Sequence, residues 1–198
     1  MKKLITILLA LTLLLSFSAF AQDAQTPVAE APAETSAEGT ETEFEGPYII
    51  TTCGQSPGAV MISMAAKQEG IEAAHENTLT AEQLKEGDYK TLIITTGTSM
   101  KGMGAAGTDV DTEIARCLEL IEAAKEAEIT IIGAHVEGMA RRTDSSDTAS
   151  IEAIMEHADI ILVIEESDSD GYFTEYAKEH EKPLLTVQNA LEIGTVLK

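Results

Sequence analysis

Tyr48-Ile-Ile-Thr-Thr-Cys-Gly-Gln-Ser-Pro-Gly58 is a short apolar run that ends in a glycine-bounded turn and feeds a helical stretch. Strand, tight turn and helix in that order are the opening of a βαβ unit. The same alternation continues along the chain. Further strands are predicted at Ile71–His75, Thr91–Thr96, Ile129–Val136, Ile160–Glu165 and Leu184–Val187, with the first at Tyr48–Cys53. The central runs are apolar at consecutive positions, as strands buried on both faces must be. Helices are predicted at Pro57–Gln68, Ala81–Glu86, Val110–Ala127, Thr148–His157 and Tyr172–His180. Thr80 and Gln83 form a capping-box pair. Ile114, Cys117, Leu118, Ile121 and Ala124 make one apolar stripe along Val110–Ala127, with acids opposite.

This pattern predicts a single α/β domain, a three-layer sandwich with a mainly parallel sheet and right-handed crossovers, flavodoxin-like or Rossmann-like. The second strand is short and its helix thin, which suits an edge, so the strand order 2-1-3-4-5 is expected. The switch point then lies between strands one and three, and ligands of such sheets sit there, beyond the strands' C-terminal ends. The loops that flank it are Gly54–Gly58 and Gly97–Gly107.

Gly54-Gln55-Ser56-Pro57-Gly58 matches the G-x-S-x-G pattern of a hydrolase nucleophile elbow, in a strand–turn–helix context. Pro57 argues against that chemistry. The residue after such a serine normally donates its N–H to the oxyanion, and proline has none. The elbow also usually follows several strands rather than the first. The alternative is helix capping, with Ser56 as N-cap and Pro57 at the first helical position, and the free N–H groups of the helix start able to hold an anion.

Gly102-Met-Gly104-Ala-Ala-Gly107 spells G-x-G-x-x-G after a strand, but Gly97 to Lys101 intervene and no acid ends a strand some 20 residues on, so it is not a dinucleotide fingerprint. No Lys-Ser or Lys-Thr follows the second glycine, so it is not a P-loop. What is left is a flexible, backbone-rich loop carrying Ser99 and Lys101. Arg141 and Arg142 follow the fourth strand, at the same predicted edge as Lys101. Arginine can grip a carboxylate or phosphate with two parallel bonds. The competing reading is local pairing with Glu137, Asp144 or Asp147. Gln55, Ser56, Gly58, Ser99, Lys101, Gly102, Gly104, Arg141 and Arg142 are therefore the candidate ligand-binding residues; no catalytic residue, metal site or cofactor is assigned.

Other signals are weaker. Asp168-Ser-Asp170-Gly resembles part of a calcium loop without the closing Glu, and reads better as a cap for the next helix. Met100, Met103, Met139 and His135 lie near one edge and could be soft copper ligands, but methionine more often fills gaps. His75, His135, His157 and His180 lack zinc spacing, and no Ser-His-Asp set assembles.

The termini set the context. Lys2 and Lys3, an apolar Leu4–Phe20 and the small-x-small Ala19-Phe20-Ala21 form a secretory signal peptide, residues 1–21, too short and wrongly flanked for a membrane anchor. No Cys stands at the cleavage site for a lipid. The mature protein is expected to be exported and soluble, in the periplasm or outside the cell. Residues 22–46 hold seven acids (Asp23, Glu30, Glu34, Glu38, Glu41, Glu43, Glu45), no basic residue and almost no apolar mass, and are expected to be a disordered spacer before the 47–198 domain. The chain's formal charge is −21, and without Lys2, Lys3 and those seven acids the domain retains −16. Such a surface repels nucleic acid and anionic lipid. Cys53 and Cys117 are the two cysteines; both read as buried small hydrophobes, and an export compartment also permits a disulfide between them.

The Cys53-Gly-Gln-Ser-Pro-Gly58 segment, the Lys101-Gly-Met-Gly-Ala-Ala-Gly107 loop, Ala140-Arg141-Arg142 and the Asp168–Phe173 stretch together resemble an uncharacterised, domain-of-unknown-function family of exported bacterial proteins, over roughly Tyr48 to Asn189. The resemblance implies an exported α/β protein and carries no activity, substrate or cofactor. The functional expectation is thus an extracytoplasmic module that binds or senses a small anion. The alternatives are a hydrolase using Ser56 and an envelope protein-interaction module.

Overall fold

The computed structural model describes residues 44–198. The signal peptide and nearly all of the predicted spacer lie outside the described residues. Six parallel strands form one sheet in the order β2-β1-β3-β4-β5-β6: β1 is Tyr48–Thr52, β2 Ala73–His75, β3 Thr91–Thr95, β4 Thr130–His135, β5 Ile160–Ile164 and β6 Leu184–Val187. The helices are α1 Gly58–Gln68, α2 Ala81–Glu86, α3 Met100–Ala106, α4 Val110–Glu126, α5 Ser145–Met155, α6 Tyr172–Glu179 and the single turn α7 Ile193–Val196. The expected α/β class and the 2-1-3-4-5 order hold, with the sixth strand added at the far edge.

Strand alternation divides the core. Tyr48, Ile50, Ile132 and Leu162 face α1 and α7 with Ile62, Ala66 and Ile193. Ile49, Leu92, Ile94 and Ile131 face α2 and α4 with Leu84, Leu120 and Ile121. Phe173, Ile151, Met155 and Val163 close the core under α5 and α6. Thr80 accepts from the Gln83 amide at 3.3 Å and donates its own amide to the Gln83 side chain at 2.9 Å, which completes the capping box on α2. The packed part begins slightly before the sequence boundary: Phe44 packs against the α1-side core, and the Glu45 carbonyl accepts from Thr91 Oγ1 at 2.7 Å.

The segment expected to be a loop, Met100–Ala106, is helix α3. Glycines weaken helices through backbone entropy, but three local devices override this. Ser99 Oγ caps the Gly102 amide, Gly107 ends the helix in the left-handed region at φ 69°, and Met103 is buried.

Candidate functional site

The β1–α1 turn and the segment before α3 meet at the switch point and are stitched to each other. Gln55 and Thr98 form an isolated antiparallel bridge, and the Ser99 amide donates to the Gly54 carbonyl at 2.8 Å. Gly102 lies so close that a Cβ there would come within 2.1 Å of the Gln55 carbonyl oxygen. The second glycine of the pattern has no such task, because nothing lies within 4 Å of a Cβ on Gly104. The G-x-G-x-x-G spelling is thus a close helix approach, a free position and a helix terminator.

Helix α4 clamps the end of β1 from behind. Glu113 Oε2 accepts from the Gly54 amide at 3.3 Å, from Gln55 Nε2 at 3.0 Å and from Arg116 at 2.9 Å. Arg116 also donates to the Thr52 carbonyl at 2.5 Å and to the Leu79 carbonyl at 3.0 Å. Glu113 was expected among the solvated acids of α4; it is buried because the turn's amide and two cationic or amide donors satisfy it. This pair occupies Gln55, whose side chain points to Glu113 and the Asn77 carbonyl.

On the α1 side a different carboxylate serves the turn. The Gly58 amide donates to Glu137 Oε1 at 2.8 Å, and Arg141 Nε donates to Glu137 Oε2 at 3.0 Å. Arg141 reaches on to the Thr98 carbonyl at 2.6 Å, so one carboxylate and one guanidinium tie the ends of β1, β3 and β4 together. Ser56 does not cap α1: the N-cap position is Pro57, with no side-chain bond to the helix. The Ser56 hydroxyl is buried and has no hydrogen-bond partner, and the same holds for Thr52 Oγ1 and Arg116 Nε. All three of these unpartnered atoms stand at the end of β1 or on the helix that clamps it. Thr52 shares the α1-facing side of the strand with Tyr48 and Ile50.

The two arginines diverge. Arg142 turns toward the β5–α6 connection, where Asp170 takes it with two bonds of 2.7 and 3.0 Å and its guanidinium lies 4.5 Å from the Tyr172 ring centre. Lys101 is exposed on α3 and makes no ion pair among the described residues. Ser99 is spent on its cap. Asp168 accepts from the Phe173 amide at 2.6 Å at the start of α6, the capping task expected of it. Burial holds His135 well below its ordinary range, at about 4; Nε2 donates to the Gly138 carbonyl at 3.3 Å and Nδ1 bonds Thr96 Oγ1 at 2.9 Å. Asp147, weighed in the sequence as a local arginine partner, is instead buried and accepts from both Thr98 and Thr143. A hollow of about 270 Å³, lined by Lys125, Glu128, Ile129, Thr130 and Asp159, lies at the start of β4, at the sheet's other edge.

The family model "Domain of unknown function (DUF6305)" matches residues 45–198. The chain belongs to this DUF6305 family. The matched span of the DUF6305 domain starts at Glu45, one residue after Phe44, where the contacts to the core begin. No curated protein matches the chain. Among solved structures it is similar to a GDSL-like lipase from Bacteroides thetaiotaomicron, at 12% identity and a TM-score of 0.35, over 70% of this chain and 66% of that one, just under two thirds of its length. It is also similar to the psychrotrophic esterase EstA from Pseudoalteromonas sp., at 9% identity and a TM-score of 0.31, over 70% of this chain and 76% of that one.

Proposed function

We propose that this DUF6305 domain is an exported small-anion-binding module whose ligand seat is the β1–α1 turn, with Glu137 as a built-in placeholder for the ligand's carboxylate or phosphate. The observation that carries the reading is the pair of buried, unpartnered hydroxyls, Ser56 and Thr52, beside an α1 start whose amide already holds an anion. Buried polar groups in folded proteins nearly always have partners, so such exceptions mark places where a ligand or water completes the structure. A hydroxyl can donate to an anion, the helix start favours negative charge, and Arg141 supplies a charge-assisted donor. A ligand oxygen that displaces Glu137 from Gly58 and Arg141 would gain the same two donors and the hydroxyls besides. Exposed Lys101 adds attraction at long range in a domain that is otherwise acidic. Arg142, locked to Asp170, stands outside this seat. The amino-terminal signal pattern supports export, and among the described residues no helix is long and apolar enough to cross a membrane.

Thermal shift with phosphate, sulfate, acetate and succinate tests the proposal, since a ligand that binds only the native state raises its melting point. Stabilisation is expected in the wild type and in Arg142→Gln, and is lost in Arg141→Gln. Equal stabilisation in Arg141→Gln, or none in the wild type, sinks it. The hydrolase reading retains one favourable feature, the buried free hydroxyl of Ser56 within G-x-S-x-G. Pro57 removes the oxyanion donor, and both ring nitrogens of His135 are engaged elsewhere. Covalent labelling of Ser56 by a fluorophosphonate would restore it.

A further inference from the structure

The cysteines sit where α4 grips the end of β1. Cys53 follows the last residue of β1, and Cys117 lies one helical turn beyond Glu113 on α4. Both side chains are fully buried in the same core cluster. Cys117 Sγ lies 3.7 Å from the Thr52 carbonyl, the peptide group adjoining Cys53. The chain has no other cysteine. Two buried thiols of one core cluster, on elements already fixed to one another by Glu113 and Arg116, need little backbone movement to bond.

We propose that Cys53 and Cys117 are a redox pair that closes to an intrachain disulfide when the protein meets a disulfide oxidant, and so locks α4 to the turn that carries Ser56. The proposal is independent of the ligand reading. With Cys53 attacking first, the exchange runs in two steps, and the reverse order has the same balance. The Cys53 thiolate attacks one sulfur of the oxidant's disulfide, forms a mixed disulfide and releases one thiolate. Cys117 then gives up its proton and attacks the Cys53 sulfur, and the oxidant's second sulfur leaves as a thiolate. Two protein thiols are oxidised, one external disulfide is reduced to two thiols, and the two protons pass to the departing thiolates. Both sulfurs are shielded from solvent in the fold, so the exchange occurs before α4 docks or when α4 lifts from the end of β1.

The test is to refold the reduced chain, from Gln22 onward, in oxidised and reduced glutathione and in reduced glutathione alone. The oxidised sample should be lighter by two hydrogens, take up no alkylating agent when denatured, and give a single peptide joining Cys53 to Cys117. Reduction should then lower its melting temperature by about 10 °C, the order expected for a cross-link closing a long loop in a domain of this size. Cys117→Ser and Cys53→Ser should each stop at a glutathione adduct on the remaining cysteine, because neither has a second thiol to resolve it. Two alkylatable thiols after oxidative refolding, or stable adducts on both cysteines of the wild type, overturn the proposal.

Discussion

At the residue scale, the buried polar groups beyond the C-terminal ends of the strands divide into those with partners and those without, and the two kinds predict different behaviour. Had Ser56 capped α1, its replacement by Ala would cost about 1 kcal/mol. Its hydroxyl bonds nothing, so Ser56→Ala should leave stability within about 0.5 kcal/mol of wild type or raise it, because no bond is lost and a buried orphan is removed. Urea melts check this; a loss above about 1 kcal/mol would mean that the hydroxyl has a partner in solution. His135 is the opposite case, a fully bonded group that the fold holds neutral. Burial is the main cause, the charge of Arg142 adds to it, and the Gly138 carbonyl and Asp147 act the other way. Its pKa is about 4 in the fold against about 6.5 in an unfolded chain. Between those values the unfolded state binds more protons, so stability rises with pH through that window and levels off above it. The loss on acidification from pH 6.5 to 4 is on the order of 3 kcal/mol. His135→Asn keeps a group near Thr96 but does not titrate. Its stability should be flatter than wild type between pH 7 and 5; parallel curves would refute the assignment.

At the element scale, α3 shows what the sequence made legible and what it hid. Five of the seven helices and all six strands follow from apolar runs and helical spacing, because burying one face is a local pattern that survives in the order of residues. Helix α3 was hidden because its two glycines, Gly102 and Gly104, carry the opposite local signal, and the contact that makes Gly102 necessary is to Gln55, far away in the chain. The site was hidden for the same reason. Glu113 meets Gly54 across 59 residues and Arg142 meets Asp170 across 28, so nothing in the neighbourhood of either announces its partner. Glu137 and Arg141 are four apart and were legible as a local pair; that their carboxylate also serves Gly58 was not. The glycines give a paired prediction. Gly102→Ala forces a Cβ into the Gln55 carbonyl and should cost about 1–3 kcal/mol as α3 lifts from the turn. Gly104→Ala meets open space inside the same helix and should add about 0.5–1 kcal/mol. Denaturant midpoints of the two variants, read against wild type, check the signs. Equal effects would mean that α3 does not pack on the turn as described.

At the scale of the whole molecule, charge is the dominant fact. The Pro47–Lys198 domain carries −16, and five ion pairs engage Lys85, Arg116, Arg141, Arg142 and Lys198 among the described residues. Most of the acids therefore face one another across solvent, and their repulsion opposes the compact state. Salt shortens the reach of that repulsion to roughly 10 Å at 0.1 M. It also weakens exposed pairs such as Lys85–Glu126, but each of those contributes only about 0–1 kcal/mol, and the shielded Glu113–Arg116 pair is screened little. The repulsion is shared by the whole surface and so outweighs them. Sodium chloride raised from about 20 to 300 mM should lift the melting temperature by a few degrees, with most of the gain by about 0.1 M, where the screening length falls to the spacing of surface charges. A melting point that falls with chloride would show instead that the ion pairs govern stability. The same titration separates screening from binding. Chloride should act alike on wild type and Arg141→Gln, because neither the number nor the spread of the surplus acids changes much. Phosphate at matched ionic strength should stabilise the wild type further and the variant no more than chloride does. If phosphate and chloride coincide in both proteins, the anion effect is a property of the acidic surface alone, and the β1–α1 turn holds no ligand among those anions.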